Sequence, residues 1–218
     1  MAAEHRAVEA VIWDFGGVFT TSPFEAFARY ERERGLPEGL LRRVNATNPD
    51  ANAWALFERA EIDADGFDAR FREESAALGH PVPGRDVLPL LAGDLRPRMV
   101  EALKACKARF KVGCITNNMA TPAAADVAPS PLAGAMAAVL PLFDAVIESS
   151  KAGVRKPDPR IYLMMCELLG VEPTACVYLD DLGINCKPAA ALGMHAIKVT
   201  GVDQALADLS AVTGLGFG

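Results

Sequence analysis

The sequence predicts a doubly wound, Rossmann-like α/β fold: a parallel sheet with helices on both faces, interrupted after its first strand by an all-helical insertion. Three observations predict it. Short apolar runs recur and each stops abruptly at a polar residue, helix-length segments separate the later ones, and residues 22–92 contain amphipathic helical patterns but no strand-like run.

The first run, Ala10 to Trp13, ends in Asp14 and the pair Gly16-Gly17, as a buried strand ends in a tight turn. Further runs are Lys111 to Ile115 ending at Thr116, Phe143 to Ile147 ending at Glu148, Ala175 to Leu179 ending at Asp180, and Ala196 to Val199 ending at Thr200. Helical segments are expected over Arg96 to Arg109, Arg160 to Gly170 and Gly183 to Gly193. The second has a legible start, because Asp158 can cap it and Pro159 suits a first turn that needs no amide donor. Lys156 is therefore placed on the preceding loop. Within the insertion, Phe24, Phe27, Leu40, Leu41, Trp54, Leu56, Phe57, Phe67, Phe71 and Leu78 fall at helical spacings. Residues 1–21 and 93–218 are read as the α/β core and 22–92 as the insertion. Met119 to Pro141, rich in Ala and Pro, reads as a helical or loop excursion from the core.

The 218 residues are 51% hydrophobic and carry a formal net charge of -6, enough for a sizeable core and the wrong sign for nucleic acid or an anionic membrane. Neither partner is expected. The five cysteines form no CxxC pair and read as reduced, mostly buried thiols. The N-terminus lacks an apolar signal region, and no run approaches the roughly 20 residues that span a bilayer, so a cytoplasmic location is expected. His5, His80 and His195 share no ligand spacing with the cysteines, which argues against zinc.

In open parallel sheets, ligands bind at the carboxyl ends of the strands where strand order reverses. Those ends carry Asp14, Thr116 with Asn117 and Asn118, Lys156 on a following loop, and Asp180-Asp181. Packing does not explain carboxylates, a hydroxyl and an ammonium in one crevice, because unpaired they would cost several kcal/mol of desolvation. A hard cation such as Mg²⁺ would relieve that cost, and an aspartate beside it can attack phosphorus to form an aspartyl-phosphate. Thr116 and the amides near Asn117 could hold the remaining phosphate oxygens.

The order and spacing of these residues resemble the haloacid dehalogenase superfamily. Asp14-Phe15-Gly16-Gly17-Val18, Thr116-Asn117-Asn118, Arg155-Lys156-Pro157-Asp158-Pro159, and Leu179-Asp180-Asp181 through Asn185 look most like the N-terminal phosphatase-like domain of soluble epoxide hydrolases. The resemblance implies a Mg²⁺-dependent phosphatase acting on a small phosphorylated substrate, with the 22–92 insertion as a cap. Asp14 would be the nucleophile. Thr116 and Lys156 would also be catalytic, Lys156 steadying both the nucleophile and the substrate phosphate; Thr116, Asn117, Asn118, Lys156 and Gly17 would bind substrate, and Asp14, the Gly16 carbonyl and Asp181 would hold the metal. Asp180 is assigned to catalysis, either as the second candidate for the metal or by orienting Lys156 or a metal-bound water. Dimers are common among relatives, so a homodimer falls within expectation.

One position departs from the pattern. Gly16 stands where most phosphatases of the superfamily place a second Asp that protonates the leaving oxygen and activates water, a role worth about 10²- to 10⁴-fold in rate. An acyl phosphate, with its good leaving group, would need that residue least. Two alternatives follow from the same glycine: a metal-independent haloacid-type dehalogenase, and a catalytically weak binding module. Asp180-Asp181 opposes the first, since acids beside Asp14 repel without a cation. Asn45, Asn48, Asn52, Trp54 and Glu58 are specificity candidates whose plainer reading is a packed Trp beside a solvated Glu. Lys151 reads as a solvated loop charge.

Overall fold

The computed structural model describes residues 7–91, 93–117 and 131–217. Strands β1 (Ala10–Trp13), β2 (Lys111–Thr116), β3 (Ala145–Glu148), β4 (Cys176–Asp180) and β5 (His195–Lys198) form one parallel sheet in the order β3-β2-β1-β4-β5. Ile12 of β1 lies between Gly113 and Tyr178 in the ladder, so β1 is central. The predicted fold class is the observed one. β3 starts two residues later than expected because Phe143 and Asp144 lie in the turn before it, where the Asp144 carboxylate accepts the Val112 amide. Ala175 closes a 3-10 turn before β4, and β5 begins at His195 and ends at Lys198.

Alternation along β1 sends side chains to both faces. Val11 and Trp13 join the cluster formed with α6 (Pro97–Lys107) and α11 (Val202–Thr213), through Met99, Leu103, Leu206 and Leu209. Ala10 and Ile12 join the opposite cluster with α9 (Pro159–Leu169) and α10 (Gly183–Ala191), through Ile161, Tyr162, Met165 and Ala189. All four β1 residues are fully buried. Asp158 caps α9 as expected, its Oδ1 accepting the Arg160 amide at 3.0 Å. Met165 packs inward while its neighbour Met164 is exposed.

Between β1 and α6 run α1 (Pro23–Glu33), α2 (Leu40–Ala46), α3 (Ala53–Glu58), α4 (Ala64–Ala77) and α5 (Gly84–Val87), with no strand among the described residues. They enclose a cluster of their own, centred on Trp54, Phe57, Phe67 and Phe71. Trp54 and Phe67 meet edge to face at 4.7 Å, and Phe57 stacks on Phe67 at 5.0 Å. Leu78, at the end of α4, is exposed instead. Asn52 caps α3 and also donates to the Asn45 and Thr47 carbonyls, so its amide is consumed by local structure. The insertion enters and leaves side by side: Thr20 and Leu95 form an antiparallel bridge, and the Thr21 amide donates to the Asp94 carbonyl at 2.9 Å.

α7 (Pro131–Val139) is the described part of the Ala/Pro-rich excursion, whose residues 119–130 lie outside the described residues. The short α8 (Ser149–Ala152) follows β3 directly and meets α3 of the insertion. No helix among the described residues is long and apolar enough to cross a membrane. The five cysteines are free and buried.

Candidate active site

The strand order places β2 and β4 on opposite sides of β1, so the connections leaving the neighbouring strands β1 and β4 run to opposite sides and open a crevice at the carboxyl ends. Asp14, one residue beyond β1, extends the ladder by donating its amide to the Leu179 carbonyl at 2.8 Å. Its Oδ1 accepts the Phe15 amide and the Lys156 ammonium, both at 2.7 Å. Burial pushes the Asp14 carboxyl up to about 8 against the opposing pull of Lys156, with Asp180 and Asp181 adding to the rise.

Lys156 is 1% exposed and bridges two carboxylates, with Nζ 2.7 Å from Asp14 Oδ1 and 2.8 Å from Asp180 Oδ2. Burial works against its charge, but Asp14 and Asp180 outweigh it and hold the ammonium well above its usual range. Its backbone is clamped at both ends of the residue. The Lys156 amide donates to Asn117 Oδ1 at 2.9 Å, and Asn117 Nδ2 donates to the Lys156 carbonyl at 3.0 Å.

Asp180, wholly buried at the end of β4, has both oxygens engaged. Oδ2 accepts from Lys156, from the Tyr178 hydroxyl at 2.6 Å and from Asn185 Nδ2 at 3.1 Å; Oδ1 accepts from the Leu182 amide at 2.8 Å and Asn185 Nδ2 at 3.1 Å. Asp181 lies against Gly17, where a Cβ would stand 2.2 Å from Asp181 Oδ2. Gly17 also has φ +72°, so glycine is required there on two counts. Burial first, and Asp180 second, push Asp181 up to about 6. One carboxylate oxygen each from Asp14, Asp180 and Asp181 lie within 4.8 Å of one another, a hard-oxygen set suited to Mg²⁺, and a cation would bring down the raised Asp14 and Asp181 carboxyls. The residues fit that ion, with Asp14 and Asp181 better placed to give it oxygens than Asp180.

A Cβ at Gly16 would meet nothing within 4 Å, so the place of the missing acid is open space. Thr116 ends β2 and is buried beside this group of strand ends. Asn117 reaches the site, but its side chain serves the Lys156 backbone. Asn118 lies outside the described residues.

Several contacts were not legible in the sequence. Arg96, just before α6, donates from Nη1 to the Gly17 carbonyl at 2.7 Å. Glu58 departs from its reading as a solvated charge: its side chain is 14% exposed, its Oε2 sits 2.6 Å from Arg155 Nε and accepts from Asn117 Nδ2 at 3.3 Å, and its carbonyl accepts the Ser149 hydroxyl at 2.8 Å. Burial raises its pKa against the pull of Arg155. Lys151 does lie at the surface, paired with Glu148. Only Tyr178 had a signal, since residues two apart in a strand share a face and place it beside Asp180.

The profile of the haloacid dehalogenase-like hydrolase family matches residues 8–193. The chain is 30% identical over 96% of its length both to Acyl-CoA dehydrogenase family member 10 of Mus musculus and to bifunctional epoxide hydrolase 2 of Sus scrofa, spanning 19% and 39% of those proteins. It is 34% identical to Phosphatase MT3486 of Mycobacterium tuberculosis over 88% of each chain. Among solved structures, an HAD family enzyme of Bacteroides thetaiotaomicron, in complex with magnesium and inorganic phosphate, superposes with a TM-score of 0.58 at 17% identity, covering 88% of this chain and 94% of the other. The L-2-haloacid dehalogenase of Xanthobacter autotrophicus reaches 0.58 at 19% identity, covering 94% and 82%. At these identities the two structures share the fold alone.

Proposed function

The chain belongs to the haloacid dehalogenase-like hydrolase family, and on that premise we propose that it is a Mg²⁺-dependent phosphatase acting on a small phosphorylated molecule through an aspartyl-phosphate on Asp14. Similarity to phosphatases supports the hydrolase class, and one observation carries the reading: Lys156 bridges Asp14 and Asp180 while Asp181 stands by at the same strand ends. A single ammonium shared by two carboxylates, with a third nearby, leaves a net negative crevice that suits a cation and a phosphate together.

The Asp14 carboxylate attacks phosphorus, an O–P bond forms, and the bond to the leaving oxygen breaks. Lys156 keeps Asp14 aimed and offsets the phosphoryl charge, and the Thr116 hydroxyl donates to a phosphoryl oxygen. Water then adds to phosphorus, releasing inorganic phosphate and restoring Asp14. Asp180, its oxygens filled, orients Lys156. Magnesium, held by Asp14, Asp181 and the Gly16 carbonyl, would supply charge neutralisation for attack by one anion on another. Without an acid at Gly16, substrates with a good leaving group, acyl phosphates first, suit this site best. The site belongs to a cytoplasmic protein with reduced thiols, and a homodimer is part of the proposal.

The test is a panel of phosphomonoesters and acyl phosphates with and without Mg²⁺, on wild type and Asp14→Asn. Turnover that is metal-independent, or that survives in Asp14→Asn, would sink this reading. The open space at Gly16 favours one second reading, a binding module of weak activity. Mg²⁺ and phosphate binding without turnover above Asp14→Asn would establish it. The dehalogenase alternative is disfavoured by Asp180 and Asp181, acids that repel Asp14 when no cation stands among them.

A further inference from the structure

Among the described residues, three polar contacts between the insertion and the core meet at one residue. Glu58, the last residue of α3, places Oε2 2.6 Å from Arg155 Nε and 3.3 Å from Asn117 Nδ2. Its carbonyl accepts the Ser149 hydroxyl at 2.8 Å, and Arg155 Nη1 donates to the Pro49 carbonyl of the insertion at 2.8 Å. Arg155 is the chain neighbour of Lys156. Asn117 is the residue whose side chain clamps the Lys156 amide and carbonyl. The same carboxylate therefore touches both supports of the lysine that holds Asp14.

We propose that Glu58 is a positioning residue for the reaction: docking of the helical insertion through Glu58 to Arg155 and Asn117 sets the Lys156 backbone, and through it the ammonium that aims Asp14. The inference rests on the phosphatase reading for its kinetic consequence, though not for its structural one. Glu58 touches neither Asp14 nor Lys156 itself, so it acts through Asn117 and Arg155. Without the Glu58 carboxylate, Asn117 loses its third partner and Arg155 keeps only the Pro49 carbonyl of the insertion. The Lys156 segment then keeps its two bonds to Asn117, the turn bond from the Asp158 amide to the Arg155 carbonyl and the ammonium contacts to Asp14 and Asp180, but loses its brace from the insertion.

The test uses Glu58→Ala, the gentler Glu58→Gln in case the alanine variant fails to fold, Arg155→Ala, and the double variant, assayed on para-nitrophenyl phosphate with Mg²⁺. Displacing a catalytic group by about 1 Å costs roughly 10²-fold, so Glu58→Ala is expected to lower kcat by about 10- to 100-fold with KM within about threefold. Glu58→Gln should fall between it and wild type. The double variant should lose less than the product of the single losses, because the residues share one path. A control at the exposed Glu61, Glu61→Gln, should leave kcat unchanged. Hydrogen exchange of the Lys156 amide supplies a readout independent of turnover and is expected to speed up in Glu58→Ala. If wild type shows no turnover above Asp14→Asn, the phosphatase reading fails and this exchange measurement decides the proposal alone. Unchanged exchange would overturn it. A rise in KM at constant kcat would also overturn it, by making Glu58 a substrate contact.

Discussion

Gly16→Asp should convert a selective catalyst into a broader one. The backbone at Gly16 lies outside the left-handed region and a Cβ there meets nothing within 4 Å, so the side chain enters without strain or displacement. A general acid at this position is worth about 10²- to 10⁴-fold, or roughly 3–5 kcal/mol of barrier. Against it stands repulsion from Asp14 and Asp181, already pushed up to about 8 and about 6. Like charges at a few ångströms and an effective dielectric near 20 repel by about 2–4 kcal/mol. That repulsion raises the new carboxyl's pKa too, which suits a proton donor at neutral pH. The assay compares kcat on an alkyl phosphate with kcat on an acyl phosphate, both with Mg²⁺. The gain should approach the full range on the alkyl ester, whose alkoxide needs a proton, and stay within about threefold on the acyl phosphate. An equal gain on both, or none on the alkyl ester in a folded, Mg²⁺-bound protein, would refute the reasoning.

Other perturbations test other parts of the site. Lys156→Met strands two buried carboxylates and should cost about 3–5 kcal/mol by guanidinium unfolding at pH 7, together with nearly all turnover. Gly17→Ala drives a methyl into Asp181 at a left-handed backbone position; the conformation alone costs about 1–2 kcal/mol, and calorimetry should show Mg²⁺ binding weakened. In metal-free protein the native state holds a proton on Asp14 up to about pH 8 that the unfolded chain releases near pH 4. Folded protein thus binds more protons across that window, so stability should fall as pH rises from about 4 to about 8, and saturating Mg²⁺ should flatten the slope. Thermal melts across that range check the sign. Phe67→Ala, at the centre of the insertion's aromatic cluster, should cost about 3–5 kcal/mol, seen as a lower Tm.

What the sequence revealed of the site follows from periodicity. Asp14, Thr116 and Asp180-Asp181 were legible because an apolar run ending in a polar residue marks a strand's carboxyl end, and parallel strands bring those ends together. Lys156 was legible through the cap of α9. Asn117 was correctly placed near the site, yet nothing in its spacing says that its amide pairs with the Lys156 backbone 39 residues on. Arg96 at Gly17 pairs two core segments that the insertion separates in sequence, and Glu58 at Arg155 depends on how the insertion sits on the core; both are long-range arrangements without a sequence period. Glu58 read as solvated because its helix partners are local, whereas its burial comes from the other layer.

The paired linkers at Thr20 and Leu95 carry a consequence for the history of the molecule. Thr21 and Asp94 are already joined by a backbone hydrogen bond, so the span between them behaves as a closed loop whose ends need no further gathering. A replacement segment of any length could be grafted at that point without pulling the sheet out of register. The crevice residues Asp14, Thr116, Lys156, Asp180 and Asp181 all lie outside it. Recognition could therefore be exchanged as a cassette, provided the new segment restored the contacts that Glu58 makes with Arg155 and Asn117.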